Sequence, residues 1–230
     1  MKIPDIKNKY NMPESIRAVL RESADKYNDK IAYKYFVGPN DVAEISYRQL
    51  FDIYNFVGAS LCSLGLQKAK IAILADNRPE WMIAYMAVIG SGSIVVPLDK
   101  DLMLPQIENF INYADVDAIF CAGKYVEKIH EMNLPNLKYV LDFDNSNNSS
   151  DKYISYEKLV SDGETLIANG YSVFENARYD RSKMSALIFT SGTTGTSKGV
   201  MLSEDNVLVA LNAASNMIDL DSDTVLLSVL

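Results

Sequence analysis

Apolar residues along this chain fall into short solid runs that alternate with stretches of helical spacing. Ile16, Val19, Leu20, Ala24 and Tyr27 share one helical stripe over 15–27. Two β-rich runs follow at 31–37 and 42–46, and Gly38-Pro39-Asn40-Asp41 between them predicts a hairpin turn. Tyr47, Leu50, Phe51, Tyr54, Val57 and Leu61 mark a second amphipathic helix that stops near Gly65.

From residue 70 strands and helices alternate. Lys70–Ala75, Ile94–Leu98, Ala118–Ala122 and Lys138–Phe143 read as compact strands. Between them lie a helix opened by Asn77-Arg78-Pro79 and apolar nearly all round from Trp81 to Ile89, a second with Ile107, Phe110 and Ile111, and a third over Tyr125–Met132. That order predicts βαβ units and an α/β fold: a mostly parallel sheet flanked by helices on both faces. Asn145 to Asp151 is a polar, low-complexity loop; a helix follows near 155–168, ending at Gly170. Residues 171–184 read as a polar, irregular link. Ser185–Thr190 is then a strand, 191–200 a loop, and Ser203 caps a helix whose stripe is Val207, Leu211, Ala214 and Ile218. The chain closes on Thr224–Leu230, an apolar run suited to a buried strand. We therefore expect a fragment whose final run either lacks fixed structure or pairs with its copy in a dimer through that edge.

Composition changes this picture in two ways. Twenty-two basic against thirty acidic residues give a formal charge of −8, so no basic face attracts nucleic acid or anionic lipid. A phosphate-bearing ligand must be held locally. Cys62 and Cys121 stand far apart without metal-ligand spacing, no signal-peptide core precedes residue 10, and no run spans a membrane; a cytoplasmic protein is expected.

One segment carries chemistry: Phe189-Thr190-Ser191-Gly192-Thr193-Thr194-Gly195-Thr196-Ser197-Lys198-Gly199-Val200. Its glycines free backbone N–H groups to turn inward, its hydroxyls add donors, and Lys198 supplies a mobile point charge suited to phosphate. A Ser/Thr/Gly linker has the same composition, but this segment is bounded tightly by an apolar strand and an amphipathic helix. A Walker A loop is excluded, because Ser197 stands where glycine is required and Gly199 where the hydroxyl is. Gly90-Ser91-Gly92 lacks the third glycine of a dinucleotide fingerprint, and Ser191 lacks the flanking glycines of a nucleophile elbow. The following helix begins Ser203-Glu204-Asp205, whose acids already complement its dipole. The anion is therefore expected in the loop itself, not on the helix.

This loop resembles the phosphate-binding motif of the adenylate-forming (AMP-binding) superfamily, departing only in Ser197, where proline is usual. Ile45-Ser46-Tyr47-Arg48-Gln49-Leu50 and Ile89-Gly90-Ser91-Gly92-Ser93-Ile94-Val95-Val96-Pro97-Leu98-Asp99 resemble two further boxes of that superfamily, in the right order. Ala75-Asp76-Asn77-Arg78-Pro79-Glu80-Trp81 resembles its fatty-acyl-CoA synthetase branch. The resemblance implies an ATP-dependent acid–thiol ligase that joins a carboxylic acid, of medium to long chain, to AMP and then to coenzyme A. Residues 190–199 would bind ATP, Thr190 would ligate Mg2+, and Lys198 would be catalytic. It further implies an N-terminal α/β subdomain over 1–180, with 181–230 opening a second. The adenine and acyl pockets would lie beyond position 230, leaving these residues inactive by themselves. Two alternatives stay open: an adenylation domain that loads a carrier protein, and a non-catalytic nucleotide-binding or interaction module.

Other residues carry blander readings. His130, the sole histidine, is read as a surface side chain on a short helix. Asp219, Asp221 and Asp223 are spaced like the opening of a calcium loop but lack its glycine and terminal glutamate, so they read as a solvated turn.

Overall fold

The computed structural model describes residues 11–144, 151–190, 198–217 and 221–228. The chain opens with α1 (Ile16–Tyr27), capped by Ser15, whose Oγ accepts from the Ala18 N–H at 3.0 Å. β1 (Ile31–Phe36) and β2 (Val42–Ser46) form an antiparallel hairpin standing apart from the main sheet. α2 (Tyr47–Ser63) starts at a capping box. The Gln49 N–H donates to Ser46 Oγ, and the Ser46 N–H donates to Gln49 Oε1 at 2.9 Å. One of the three boxes singled out in the sequence is thus a helix start. Gly65, at φ +72°, ends this segment as its position predicts.

The alternating region then delivers β3 (Lys70–Leu74), α3 (Pro79–Gly90), β4 (Ile94–Pro97), α4 (Leu104–Ala114), β5 (Ala118–Cys121), α5 (Gly123–Glu131) and β6 (Tyr139–Asp142). β7 (Tyr153–Ser155), α6 (Tyr156–Ala168), β8 (Met184–Thr190), β9 (Lys198–Ser203) and α7 (Glu204–Met217) complete the described elements. Seven strands form one sheet in the order β7-β6-β5-β3-β4-β8-β9, parallel throughout except for β8 with β9. Ile71 and Ala72 point to opposite faces of β3 and both are fully buried, as are all four residues of β5. Helices therefore cover both faces, as solid apolar runs require. β8 enters the same sheet beside β4, through Val95 and Ala186.

Four expectations change. Residues 198–200 are strand and not loop: β9 occupies the sheet edge, and its mostly exposed side chains leave no apolar alternation to read. β7 is a three-residue edge strand without a pattern of its own. The link at 171–184 is irregular as expected, but Phe174 within it is buried against Tyr54, with ring centroids 5.1 Å apart. A Cβ on Gly58 would lie 2.2 Å from the Phe174 ring, so glycine is what admits that ring against α2. Finally, α7 buries Glu204 and Leu208, whereas Leu211 and Ala214 of the expected stripe are exposed and Ile218 lies outside the described residues. Residues 221–228 form no strand, and Val225, Leu226 and Leu227 are exposed. Most of the polar loop at 145–151 also lies outside the described residues.

Candidate functional site

β8 and β9 are the two arms of a hairpin whose pairs include Leu187 with Met201, Phe189 with Gly199 and, closing it, Thr190 with Lys198. The ends of the Gly/Thr-rich segment are thereby brought together. Ser191, Gly192, Thr193, Thr194, Gly195, Thr196 and Ser197 lie outside the described residues, while Thr190, Lys198 and Gly199 lie within them. The segment joins a strand to an antiparallel strand, where a strand-to-helix connection was expected. The helix that begins at Glu204 is separated from this segment by the whole of β9.

The end of β8 is fastened to α4. Phe189 lies flat on Phe110, with centroids 4.1 Å apart and planes within 4°, and Tyr113 meets Phe189 edge-on at 6.0 Å. Beside this stack opens a cavity of about 440 Å³, bounded by Pro97, Leu98 and Asp99 after β4, by Gln106 and Phe110 of α4, and by Phe189 and Thr190. It lies outside the carboxyl ends of two parallel strands, the edge at which open α/β sheets receive ligands. Two of the three segments singled out in the sequence, Pro97-Leu98-Asp99 and the Thr/Gly segment, thus meet at one cavity. The capping box at Ser46 is not part of its lining. Phe110 was missed as a lining residue because a helix stripe reads as core whether or not its end faces a cavity, and Gln106 because a lone polar residue in a first helical turn carries no signal.

The AMP-binding enzyme family matches residues 20–230. The chain belongs to this family. Fatty acyl-CoA synthetase A of Dictyostelium discoideum is 33% identical over 181 residues, which is 76% of this chain and 27% of that protein. Long-chain-fatty-acid–CoA ligase 5 of Rattus norvegicus is 32% identical over 177 residues, 71% of this chain and 26% of that one. The chain thus spans about a quarter of the length of these relatives. The inhibitor-bound N-terminal domain of FACL13 from Mycobacterium tuberculosis shares the fold, with a TM-score of 0.67 at 20% identity over 90% of this chain and 48% of that one.

In this AMP-binding chain the cavity lining among the described residues includes one carboxylate, Asp99, and no basic side chain. Asp99 Oδ1 accepts from the Asp101 N–H at 2.9 Å. Farther along the same sheet edge, Lys124 and Lys100 both pair with Asp76, and the Lys124 ammonium in particular holds the Asp76 carboxyl below its usual range. Arg78 is committed to Glu80 and Asp144. These cations are balanced by carboxylates already, whereas Lys198 stands exposed at the mouth of the hairpin. For Mg2+, the chain offers hard oxygen donors at the cavity, the Thr190 hydroxyl and the Asp99 carboxylate. Among the described residues no group of three or more His, Cys, Asp or Glu side chains gathers to hold a metal, so such an ion would rely on its ligand's phosphates.

The other reactive groups have ordinary explanations. His130 Nδ1 lies 3.0 Å from the Tyr153 hydroxyl at an exposed edge. Burial pushes the Cys62 thiol up to about 11 and drives Cys121 higher still, so neither is a nucleophile near neutrality. Asp221 Oδ1 accepts from the Asp223 N–H and the Thr224 hydroxyl, and Asp223 pairs with Lys30 at 2.8 Å, which makes this a self-satisfied turn. Among the described residues no helix is long and apolar enough to cross a membrane.

Proposed function

We propose that this chain forms the phosphate-gripping part of an ATP-dependent acid–thiol ligase acting on medium- to long-chain fatty acids. In the first step a fatty carboxylate attacks the α-phosphate of ATP, giving acyl-AMP and releasing pyrophosphate. In the second, the thiol of coenzyme A takes the acyl group, and AMP leaves with the electrons of the broken acyl–phosphate bond. Residues 190–199 supply the N–H groups and hydroxyls that hold the β- and γ-phosphates. Lys198 supplies the charge that the departing pyrophosphate requires and that a protein of net charge −8 cannot provide from its general field. Mg2+, held by the Thr190 hydroxyl together with the phosphates, would neutralise further charge there.

One observation carries this reading. Thr190 and Lys198 are paired across the closing position of a hairpin that opens beside a cavity at the carboxyl edge of the sheet. The fatty-acid assignment is supported by the kinship with fatty acyl-CoA synthetases and by Asn77–Trp81 at the start of α3. The hairpin is further read as the opening of a second subdomain after residue 180, and the setting as cytoplasmic. Calorimetric titration of the 230-residue chain with Mg-pyrophosphate tests the site. Saturable binding that is lost in Lys198→Ala is expected; its absence in the wild-type chain refutes the reading. The acid class is tested by ATP–pyrophosphate exchange in the full ligase, where palmitate should outpace anthranilate and free amino acids.

A further inference from the structure

The first turn of α7 places a carboxylate where no solvent reaches. Glu204 follows the last residue of β9 directly, and it is fully buried. The N–H of Ile16, the first residue of α1, donates to Glu204 Oε1 at 2.7 Å. Among the described residues Oε2 has no hydrogen-bond partner. Burying a carboxylate with so few hydrogen bonds is costly unless it lies in positive potential, and the N-terminal end of the α1 dipole provides it. Its place in the first turn of α7 predicts an acid that serves that helix's own dipole; the structure turns it to the dipole of another.

The nearby cation is engaged elsewhere. Arg17 commits its guanidinium to the Gly90 carbonyl at 2.9 Å, to the Glu175 carbonyl, and to the face of Phe174. Tyr179 packs against Gly92 and its phenol approaches the Glu204 carboxylate; burial, then the charge of Glu204 and a side-chain interaction with it, push that phenol well above the ordinary value. β9 has little else to hold it. Among the described residues it is the edge strand of the sheet, paired with β8 alone, and none of its side chains is buried. Asp205 adds a second, exposed clasp, its carboxylate 3.5 Å from Arg181.

We propose that Glu204 is a positioning residue for the phosphate hairpin. By pinning the β9–α7 junction to the N-terminus of α1, its carboxylate sets the line of β9 and hence the place of Lys198 at the start of that strand. The proposal rests on the reading that the hairpin holds the phosphates of ATP. Amide hydrogen exchange in the 230-residue chain tests the coupling, comparing Glu204→Ala with Glu204→Gln, which keeps an acceptor for Ile16. Glu204→Ala should speed exchange at Ile16 and along β9 together by about tenfold or more, as loss of a hydrogen bond to a charged group implies. Exchange at β3 and β5 should stay at the wild-type rate, and Glu204→Gln should restore β9. Acceleration at Ile16 alone, or equal acceleration everywhere, overturns the proposal. If Glu204→Ala does not fold, Glu204→Asp, too short to reach Ile16, is read by the same criteria. Mg-pyrophosphate titration separates the two readings: absent wild-type binding sinks the phosphate site while exchange still decides the coupling. Saturable binding untouched by Glu204→Ala sinks the positioning role.

Discussion

Replacing Gly163 by alanine should destabilise this protein, although alanine is the better helix former. Gly163 sits inside α6, and a Cβ there would lie 1.9 Å from the backbone carbonyl oxygen of Phe56 on α2. Because the obstacle is main chain, no rotamer change relieves it; the two helices must part by more than an ångström. Their interface buries Leu159 and Ser60, and the Ser60 hydroxyl donates to the Leu159 carbonyl at 2.6 Å. Separation would stretch that bond past useful length, and losing a buried hydrogen bond costs about 1–3 kcal/mol. Overpacking adds about 1–3 kcal/mol, and the gain in helix propensity returns only about 1 kcal/mol. A net loss of about 3 kcal/mol is expected from these terms. Urea unfolding followed by circular dichroism should show a lower midpoint at unchanged slope. A variant as stable as the wild type would mean that α2 and α6 are not held at this distance, and the packing argument would fail.

Acid stability should depend on Asp117. Burial alone would raise its carboxyl, but the hydrogen bond from Lys138 and the Lys70 N–H outweigh that and hold it below the usual range. A depressed carboxyl contributes stability above its unfolded value, about 4, and loses it as pH falls through the folded one. Asp117→Asn should therefore flatten the decline of stability on acidification below about pH 5; an unchanged decline refutes this. Cys62 should resist a thiol reagent at pH 8 until the protein unfolds, since burial keeps it protonated; immediate labelling of the native chain would contradict its placement. On the proposed function, Lys198→Ala in a full-length enzyme should slow adenylation by about 2–4 kcal/mol, the scale of a lost transition-state donor, and spare thioester formation from supplied acyl-AMP. Equal loss in both half-reactions would make the lysine structural.

How much of this was written in the chain can be argued from particular elements. β3, β4, β5 and β6 are covered on both faces, so each reads as an apolar run, and the helices between them read as stripes. Local structure was equally legible: the turn at Gly38–Asp41 and the helix start at Ser46 each depend on residues within one short stretch. Strand order was not legible. That β3 lies between β5 and β4, or that β8 returns beside β4, is decided by which faces bury together, and such pairings leave no periodic mark. Edge strands β7 and β9 escaped because a strand with one neighbour and an exposed face needs no apolar alternation. Phe174 was invisible for another reason: a single aromatic in a polar link gains meaning only from Gly58, more than a hundred residues earlier, which leaves room for its ring. Glu204 marks the limit most sharply. An acid in the first turn of a helix looks the same whether it complements its own dipole or another's, and only the fold that brings Glu204 to the Ile16 N–H chose between them.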